Sequence, residues 1–534
     1  MRRILILIIL LAAISSKARE SDHFRLFTDR DIYVSGETVL FKLYAPQEDF
    51  SSIVKVALIN TSGKIITEVS KKLIDQQTDG FILLPDSLKT GTYLLCTSSG
   101  TTQTLTIREL LICNRFTGFS ETTSALRAKG TEDVMLDATG IQMEGIGLKY
   151  KTRETAHVQL HVSPEMLSQL KDNLFVAVTA QPTGYQSQEI IQQTTLKGTA
   201  SKSVNSIAVE GIAKDMETGV PFKNGCIYLS IPDSVPGLNY FITGEDGRFS
   251  FQLDDYYGKI PLVIQAVDVL KKRLVRISID RHDSLTEGLP EFENRTLPAD
   301  LLKTIANQIE AATLSKIFNY QELKINAPTP KKKDYPFYGI PTEVVRPAQF
   351  VDLPDFTEIS RELLPGVKFR AYNRIPTIQI LNPSTLNYYI EQPLVLLDGI
   401  PVQDLNVIKS MGTKDISRIE IGRKERFFGD LSFAGVIAIY STQLGYEHLA
   451  ESNELVKYNL DAIQPDAILN IPANRPANEP DLRKVLVWKP SIKSAETIQI
   501  DFESSDIQGN YQLILRGKTK NGNVISKVQN FEVY

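Results

Sequence analysis

Residues 28–45 read TDRDIYVSGETVLFKLYA. Two runs rich in Tyr, Val, Phe and Leu are split by Ser35-Gly36, a pair that favours a turn. The pattern continues in VKVALINTSGKII (54–66), broken at Ser62-Gly63. It continues again in GFILLPDSLKTGTYLLCTSS (80–99), where Gly80, Pro85 and Gly91 fall at turns. Short strands with a turn signal about every ten residues predict a β-sandwich over 24–116.

Working outward, most of the chain has the same texture. GIGLKYKTRETAHVQLHVS (145–163) alternates, with Val158, Leu160 and Val162 on one face and His157, Gln159 and His161 on the other. It predicts a second sandwich over 117–205, with one or two helical turns at 164–171. A third unit is expected over 206–285, with Thr218-Gly219 and Asp246-Gly247 as turn pairs. Thr296 and Pro298 are helix-start residues, and a helix to about Tyr320 would align Leu302, Ile305, Ile309 and Ala312. The Pro- and Lys-rich stretch 326–343 completes a helix-and-linker region over 286–345. A further module is expected over 346–443. A linker and a last sandwich follow over 444–534, with Asn521-Gly522 as a hairpin turn and Trp488 as a core anchor. The fold class is therefore mainly β, with serial sandwiches and one small α+β module. The length of 534 residues agrees with several domains.

The N-terminus has its own signature. Arg2 and Arg3 precede an apolar run, Ile4 to Ile14, followed by Ser15, Ser16, Lys17 and Ala18. This reads as a secretory signal peptide over 1–18, cleaved after Ala18 or after Ser15. The run is too short for a spanning helix, which needs about 20 apolar residues. No Cys follows it, so a lipoprotein is not expected, nor is a transmembrane segment in the mature chain. The expected address is the periplasm or the outer membrane.

A net charge of −4 gives no basic field, so nucleic acid is not an expected partner. Export permits disulfides. Cys96 and Cys113 lie in neighbouring apolar strands where a bridge would be allowed; the simpler reading of Cys96, Cys113 and Cys226 is small buried hydrophobes.

Three resemblances sharpen the expectation. The segment 28–45 together with 80–95 resembles the macroglobulin-type domain of the alpha-2-macroglobulin superfamily. The Cys-Gly-Glu-Gln thioester of that superfamily is absent, so thioester trapping does not carry over. Residues 209–268 resemble a carboxypeptidase regulatory-like domain, a prealbumin-like sandwich. Gly211, Asp215, Thr218, Gly219, Pro221, Phe249 and Phe251 fall on its pattern, which in relatives is accessory and non-catalytic. Residues 393–442 resemble the plug domain of TonB-dependent outer-membrane receptors. Pro393, Asp398, Gly399, Pro401, Ile416, Ile419, Glu420, Gly429, Gly435, Ile437 and Ile439 match. A receptor barrel of 22 strands needs well over 200 residues for its strands alone. About 90 residues follow the plug-like stretch, so the chain is not expected to be such a transporter itself. The combination resembles envelope proteins of the Bacteroidetes.

Reactive chemistry is sparse. His157 and His161 have helical zinc spacing but sit in a strand pattern, where four residues span about 13 Å. His23, His282 and His448 are scattered. The pairs Asp29/Asp31, Glu245/Asp246 and Asp254/Asp255 lack the ordered oxygen set of a calcium loop and read as solvated acids near turns. There is no phosphate loop and no nucleophile elbow. Lys331, Lys332 and Lys333 read as a solvated linker. No catalytic residue, metal or cofactor is expected. The expectation is a non-enzymatic binding or assembly protein of the envelope, partnered with an outer-membrane barrel protein or another envelope protein. The alternatives are macroglobulin-like recognition of exported polypeptides or proteases, and an accessory role in glycan or nutrient uptake.

Overall fold

The computed structural model describes residues 23–534 except 47–51, 100–103, 118–121, 128–135, 182–184, 186, 188, 194–205, 233–234, 236, 254–255, 268–273, 281–289, 319–321, 329–334, 373–374, 444, 471–475 and 477. The expected signal peptide with Ala18, the Asp254/Asp255 pair, His282 and the Lys331–Lys333 run lie outside the described residues. The chain is mainly β. It divides into two compact units, one of residues 1–206, 282–328 and 463–534, the other of 207–281 and 329–462. No described helix is long and apolar enough to cross a membrane.

The first unit holds two sandwiches. In one, a three-stranded sheet has the order Arg25–Thr28, Thr38–Tyr44, Gln77–Leu83. It faces a larger sheet in which Thr104–Cys113, Gly91–Ser99, Ile53–Asn60 and Ile65–Lys72 are neighbours. Thr38–Tyr44 shows the period-2 rule at work: Val39, Phe41 and Leu43 enter the sandwich core, while Leu40 joins a cluster on the opposite face.

The second sandwich corrects the expected domain plan. Thr155–Val162 pairs with Thr497–Glu503, and Leu170–Ala180 lies between Val485–Lys493 and Gly509–Thr519. One core contains Val158, Leu160 and Val176 together with Ile500, Leu513 and Phe531. Segments expected as separate sandwiches, 117–205 and 444–534, thus build one domain. The rest of 117–205 goes elsewhere. Thr122–Leu126 pairs with Phe292–Thr296, and Glu189–Gln193 joins the first sandwich on Thr104–Cys113. Alternation along a strand fixes which side chains face inward but not which distant strand lies alongside.

The helix Ala299–Phe318 sets Leu301 and Ile305 against Ile32, Leu111 and Cys113. Between the helix and the expected linker, Glu322–Asn326 forms a strand that pairs with Asp466–Asn470. Trp488 packs on the outside of the second sandwich rather than in its core. It meets Phe175 edge-on at 4.9 Å and joins Leu40 and Phe81 of the first sandwich.

The second unit has three layers. Its sandwich has one sheet of Arg248–Leu253, Ile207–Asp215 and Val275–Ile279. The other sheet has the order Leu238–Ile242, Cys226–Ser230, Lys259–Val267, Leu455–Asp461. The last of these strands comes from beyond the plug-like stretch, so the expected border at 285 does not close this sandwich. The plug-like stretch supplies four strands of a five-stranded mixed sheet, and Glu343–Val345, from the end of the expected linker, supplies the fifth; the order is Glu343–Val345, Ile416–Gly422, Val436–Ser441, Leu394–Leu397, Ile400–Pro401. Both faces are covered. Leu394, Leu396, Val436 and Ala438 pack on Cys226, Tyr228 and Leu238 of the sandwich. Val395, Leu397, Ile437 and Ile439 pack on Phe356 and Ile359 of the helix Phe356–Leu363 and on Phe369 and Ile378 of the ribbon Val367–Tyr372/Ile375–Ile380. Double coverage explains the continuous apolar runs LVLL and VIAIY, because a strand buried on both faces has no polar side to alternate with.

Candidate interaction surface

The residues singled out by the regulatory-like pattern make a turn and a close approach. The Asp215 carboxylate accepts from the backbone N–H groups of Glu217 and Thr218 at 3.0 and 2.8 Å and from the Thr218 hydroxyl at 2.8 Å. Gly219 then reverses the chain at φ 70°, and Pro221 bridges Lys214. A Cβ on Gly211 would stand 2.5 Å from the Ser278 carbonyl and overlap the Phe249 ring.

The plug-like residues behave similarly. Asp398 and Gly399, at φ 50° and 86°, make the tight reversal between Leu394–Leu397 and Ile400–Pro401. The Asp398 carboxylate then accepts from Ser441 N–H and Oγ–H at 2.8 Å each and from Tyr446 N–H at 3.1 Å. It ties the reversal to the end of the neighbouring strand. Pro393 is buried at the strand entry, and Pro401 stands opposite Leu396. Glu420 accepts from the Tyr338 hydroxyl at 2.6 Å and from Arg418 Nε at 2.9 Å. The Arg418 guanidinium lies 3.5 Å over the Tyr440 ring. Burial, with Glu420 beside it, raises the Tyr338 hydroxyl far above the ordinary tyrosine range. Gly429 turns the hairpin Arg426–Phe428/Leu431–Phe433 at φ 60°, and Asp430 N–H donates to the Tyr240 hydroxyl at 2.9 Å. A Cβ on Gly435 would come within 2.7 Å of the Gly422 carbonyl. These residues hold turns and layers. They do not converge on one pocket.

What sequence reasoning missed lies beside them. The loop after Ile375–Ile380 is tightly bonded. Asn382 N–H donates to the Asn387 carbonyl at 2.8 Å, Leu386 N–H to the Asn382 carbonyl at 2.9 Å, and Tyr389 N–H to the Ile380 carbonyl at 3.0 Å. Gln379 Nε2 donates to the Tyr389 carbonyl at 3.1 Å, and the Lys368 ammonium sits 3.5 Å over the Tyr388 ring. This framework holds Leu386 at φ 57°, a left-handed conformation that is a genuine outlier for a bulky side chain. Leu386 is 75% exposed and Ile390 96%. Asn382-Pro383-Ser384 in the sequence signals a turn, but nothing local reveals that its two aliphatic residues remain in water.

The remaining candidates are paired structurally. His157 and His161 project from the strand Thr155–Val162 and meet Asp501 at 2.8 Å and Glu144 at 3.4 Å. Among the described residues no group of three or more His, Cys, Asp or Glu side chains is placed to hold a metal ion. Asp29 corrects an expectation, for it is buried rather than solvated. Its carboxylate accepts from the Tyr33 hydroxyl at 2.7 Å, Leu40 N–H at 2.8 Å and Arg30 Nε at 2.9 Å. Glu37 continues that network to Arg30 at 3.2 Å and Lys484 at 2.7 Å. Asp31 pairs with Arg108 at 2.6 Å, and Glu245 with Lys223. Cys96 and Cys113 are free and buried. Cys96 stands opposite Ile107 on the neighbouring strand, so Cys113 is six residues further on. At about 3.3 Å per residue that is roughly 20 Å, far beyond disulfide reach.

No family model matches the chain, and no curated protein does. Among solved structures it is similar to Salmonella alpha-2-macroglobulin reacted with methylamine. That match has 10% identity and a TM-score of 0.22, over 97% of this chain and 40% of that one. Trypsin-activated alpha-2-macroglobulin from Escherichia coli matches at 11% identity and a TM-score of 0.15, over 96% and 23%. The BSP domain of a biofilm associated protein matches at 8% and 0.14, over 46% and 26%. The chain thus spans about 40% of the Salmonella protein it resembles. At scores this low the likeness carries no argument about site or partner, and the mainly β assignment stands on the sheets themselves.

Proposed function

We propose that this chain is a non-enzymatic protein exported to the bacterial envelope, in the periplasm or at the outer membrane, where it docks another envelope protein through the loop 381–390. The observation that carries the reading is Leu386, held in a costly left-handed conformation and presented to solvent beside Ile390. Strain of this kind costs on the order of 1–3 kcal/mol and persists where the surroundings enforce it, commonly at ligand clamps and switches. The basic and apolar N-terminus supports export. The likeness of 393–442 to receptor plugs favours an outer-membrane barrel protein as the partner. Since the five-stranded sheet is covered on both faces within its own unit, docking would use the loops at its margin rather than the sheet. The described polar clusters are tied into turns and ion pairs, which fits a binding role better than catalysis.

Burying a Leu or Ile side chain is worth about 1.5–3 kcal/mol. The double variant Leu386→Ser, Ile390→Ser is therefore expected to weaken docking by about a hundredfold or more. C-terminally tagged protein, purified from gently solubilised native envelopes, should bring down a barrel protein in stoichiometric amount, and the double variant should lose it. Recovery of the wild-type chain alone, or an unchanged partner with the variant, would sink the proposal.

A further inference from the structure

A second, unrelated feature lies along one side of the second sandwich. Its smaller sheet has the order Ile141–Glu144, Thr155–Val162, Thr497–Glu503, so Thr497–Glu503 is an edge strand. Its free groups follow from the ladder. Val162 N–H donates to the Glu496 carbonyl at 2.9 Å, and Ser504 N–H to the Glu154 carbonyl at 3.0 Å. Between those two bonds the register runs without a shift, and bonded pairs alternate along an antiparallel ladder. Ile498, Ile500 and Phe502 therefore bond to Thr155–Val162, while the backbone N–H and C=O groups of Thr497, Gln499, Asp501 and Glu503 point away from it. Arg483 donates to the Glu503 carbonyl at 3.1 Å. Among the described residues nothing bonds the outward backbone groups of Thr497, Gln499 and Asp501, and all three side chains are exposed. The other edge strands of this sandwich are blunted. Leu136–Asp137 and Lys149–Tyr150 have 2 residues each and Ile141–Glu144 has 4. Val485–Lys493, at the edge of the larger sheet, carries Lys489, Pro490, Lys493 and two register shifts. Shortness, proline, lysine and bulges are the devices that keep an edge from pairing with another chain. Thr497–Glu503 has 7 residues and none of these devices.

We propose that a second copy of this chain pairs on that edge, antiparallel, about a two-fold axis at Gln499. The strand is self-complementary, as a two-fold interface requires. Outward-pointing residues alone can bond across the new seam, so they must face one another. With the Glu503 carbonyl held by Arg483, the two-fold register that uses Thr497, Gln499 and Asp501 together sets Thr497 opposite Asp501 of the second copy and Gln499 opposite itself. Each such pair exchanges two N–H···O bonds. No like charges meet: the Thr497 hydroxyl stands by the Asp501 carboxylate, and the two Gln499 amides lie side by side. On the inner face Ile498 falls opposite Ile500 of the second copy, so the apolar row that the strand sends into the core continues across the seam. A seam of one strand edge is small, and the association should be reversible, with a Kd on the order of 10–100 µM.

Sedimentation velocity on the full chain, from about 1 to about 500 µM, brackets that range and should show monomer passing to dimer. Gln499→Pro removes an outward N–H and none of the bonds to Thr155–Val162, so it should abolish the dimer and leave the thermal midpoint near the wild type's. Gln499→Lys, which sets two ammonium groups opposite each other on an exposed edge, should weaken the dimer about fivefold or more without touching the backbone. Single cysteines test the register, because Cys96, Cys113 and Cys226 are buried. Gln499→Cys should form a disulfide-linked dimer under mild oxidation. Thr497→Cys alone should not, since its copy would lie four residues further along, about 13 Å away. Thr497→Cys mixed with Asp501→Cys should cross-link as a heterodimer. A chain that stays monomeric throughout would overturn the second copy as occupant and leave the edge to a strand of another protein. A dimer that both Gln499 variants leave intact would overturn the pairing on this edge. Self-cross-linking of Thr497→Cys as fast as that of Gln499→Cys would overturn the register.

Discussion

Each unit buries one sheet between two layers, and the two do it with opposite chemistry. In the first unit the outward face of Thr38–Tyr44 is partly charged. Lys42 is 1% exposed opposite Asp79, and the Arg516 guanidinium lies 3.7 Å over the Phe27 ring. Lys518 Nζ donates to the Ala45 carbonyl at 2.6 Å and to Gln76 at 3.0 Å. In the second unit the matching seam joins Cys226, Tyr228 and Leu238 to Leu394, Leu396, Val436 and Ala438, with the Tyr338–Glu420 bond at its edge. Buried charges need specific partners and punish the loss of any one, whereas an apolar seam tolerates substitution in proportion to the volume removed. The first unit should therefore respond sharply to pH and to single charge changes, and the second to cavities.

The largest effect is expected at Glu37. Its carboxylate serves two buried cations, Arg30 and Lys484. Burial works against the charged form, but Arg30 and Lys484 outweigh it and bring its pKa down to about 2. A depressed carboxylate contributes stability above its unfolded pKa, which is lost as pH falls through the folded value. The loss here should run from about pH 4.5 to about pH 2. Glu37→Gln leaves Lys484 without its counter-charge and Arg30 with Asp29 alone, and breaking a buried pair costs about 3–5 kcal/mol. With Glu37 still 16% exposed, the lower end applies. The sole tryptophan, Trp488, lies in the first unit, so its fluorescence during urea unfolding reads that unit. A wild-type-like midpoint at pH 7, or an acid limb as steep as the wild type's, would remove the electrostatic half of the comparison.

Leu396→Ala tests the other half. Leu396 is fully buried in the apolar seam beside Cys226. Truncation of a buried Leu costs about 2–5 kcal/mol through lost transfer energy and a residual cavity. The Cys226 thiol, raised by burial to about 11, should label only when the seam opens. Its alkylation rate, resolved from Cys96 and Cys113 by peptide mass, should rise by a factor of about 30 or more at pH 7. The Trp488 transition of the first unit should stay in place. An unchanged Cys226 rate would mean that the seam does not limit opening.

The same contrast marks what the sequence reveals. Faces were readable: the alternation in 155–162 places Val158, Leu160 and Val162 inward, where they meet the core of the second sandwich. Turns were readable at Thr218-Gly219 and at Asp398-Gly399, because left-handed backbone has few residue choices. Partners were not. Nothing around Thr155–Val162 announces Thr497–Glu503 as its neighbour, so one sandwich was expected as two. The burial of Asp29 was equally hidden, since its partners Tyr33 and Leu40 lie close in sequence but enclose it only once the sheet forms. Of the candidate surface, the Asn-Pro-Ser turn was legible and the exposure of Leu386 was not.

Leu386 provides the smallest effect and the finest test of the comparison. Its side chain packs on little, so its removal should cost almost nothing in burial. Its backbone sits at φ 57°, where a Cβ is disfavoured and glycine is at ease. Leu386→Gly should relieve that strain, offset in part by the greater freedom of glycine in the unfolded chain, for a net gain of about 0.5–1 kcal/mol. The Cys226 labelling rate should then fall two- to fivefold at most. Leu386→Asn separates the causes, because asparagine tolerates the left-handed region better than leucine but keeps a Cβ; it should recover part of the gain. If both variants instead accelerate labelling, Leu386 is a packing residue of the second unit and its exposure has no meaning for docking. If both slow it while abolishing capture of the partner, the chain retains a destabilising residue at its margin because binding requires the side chain there.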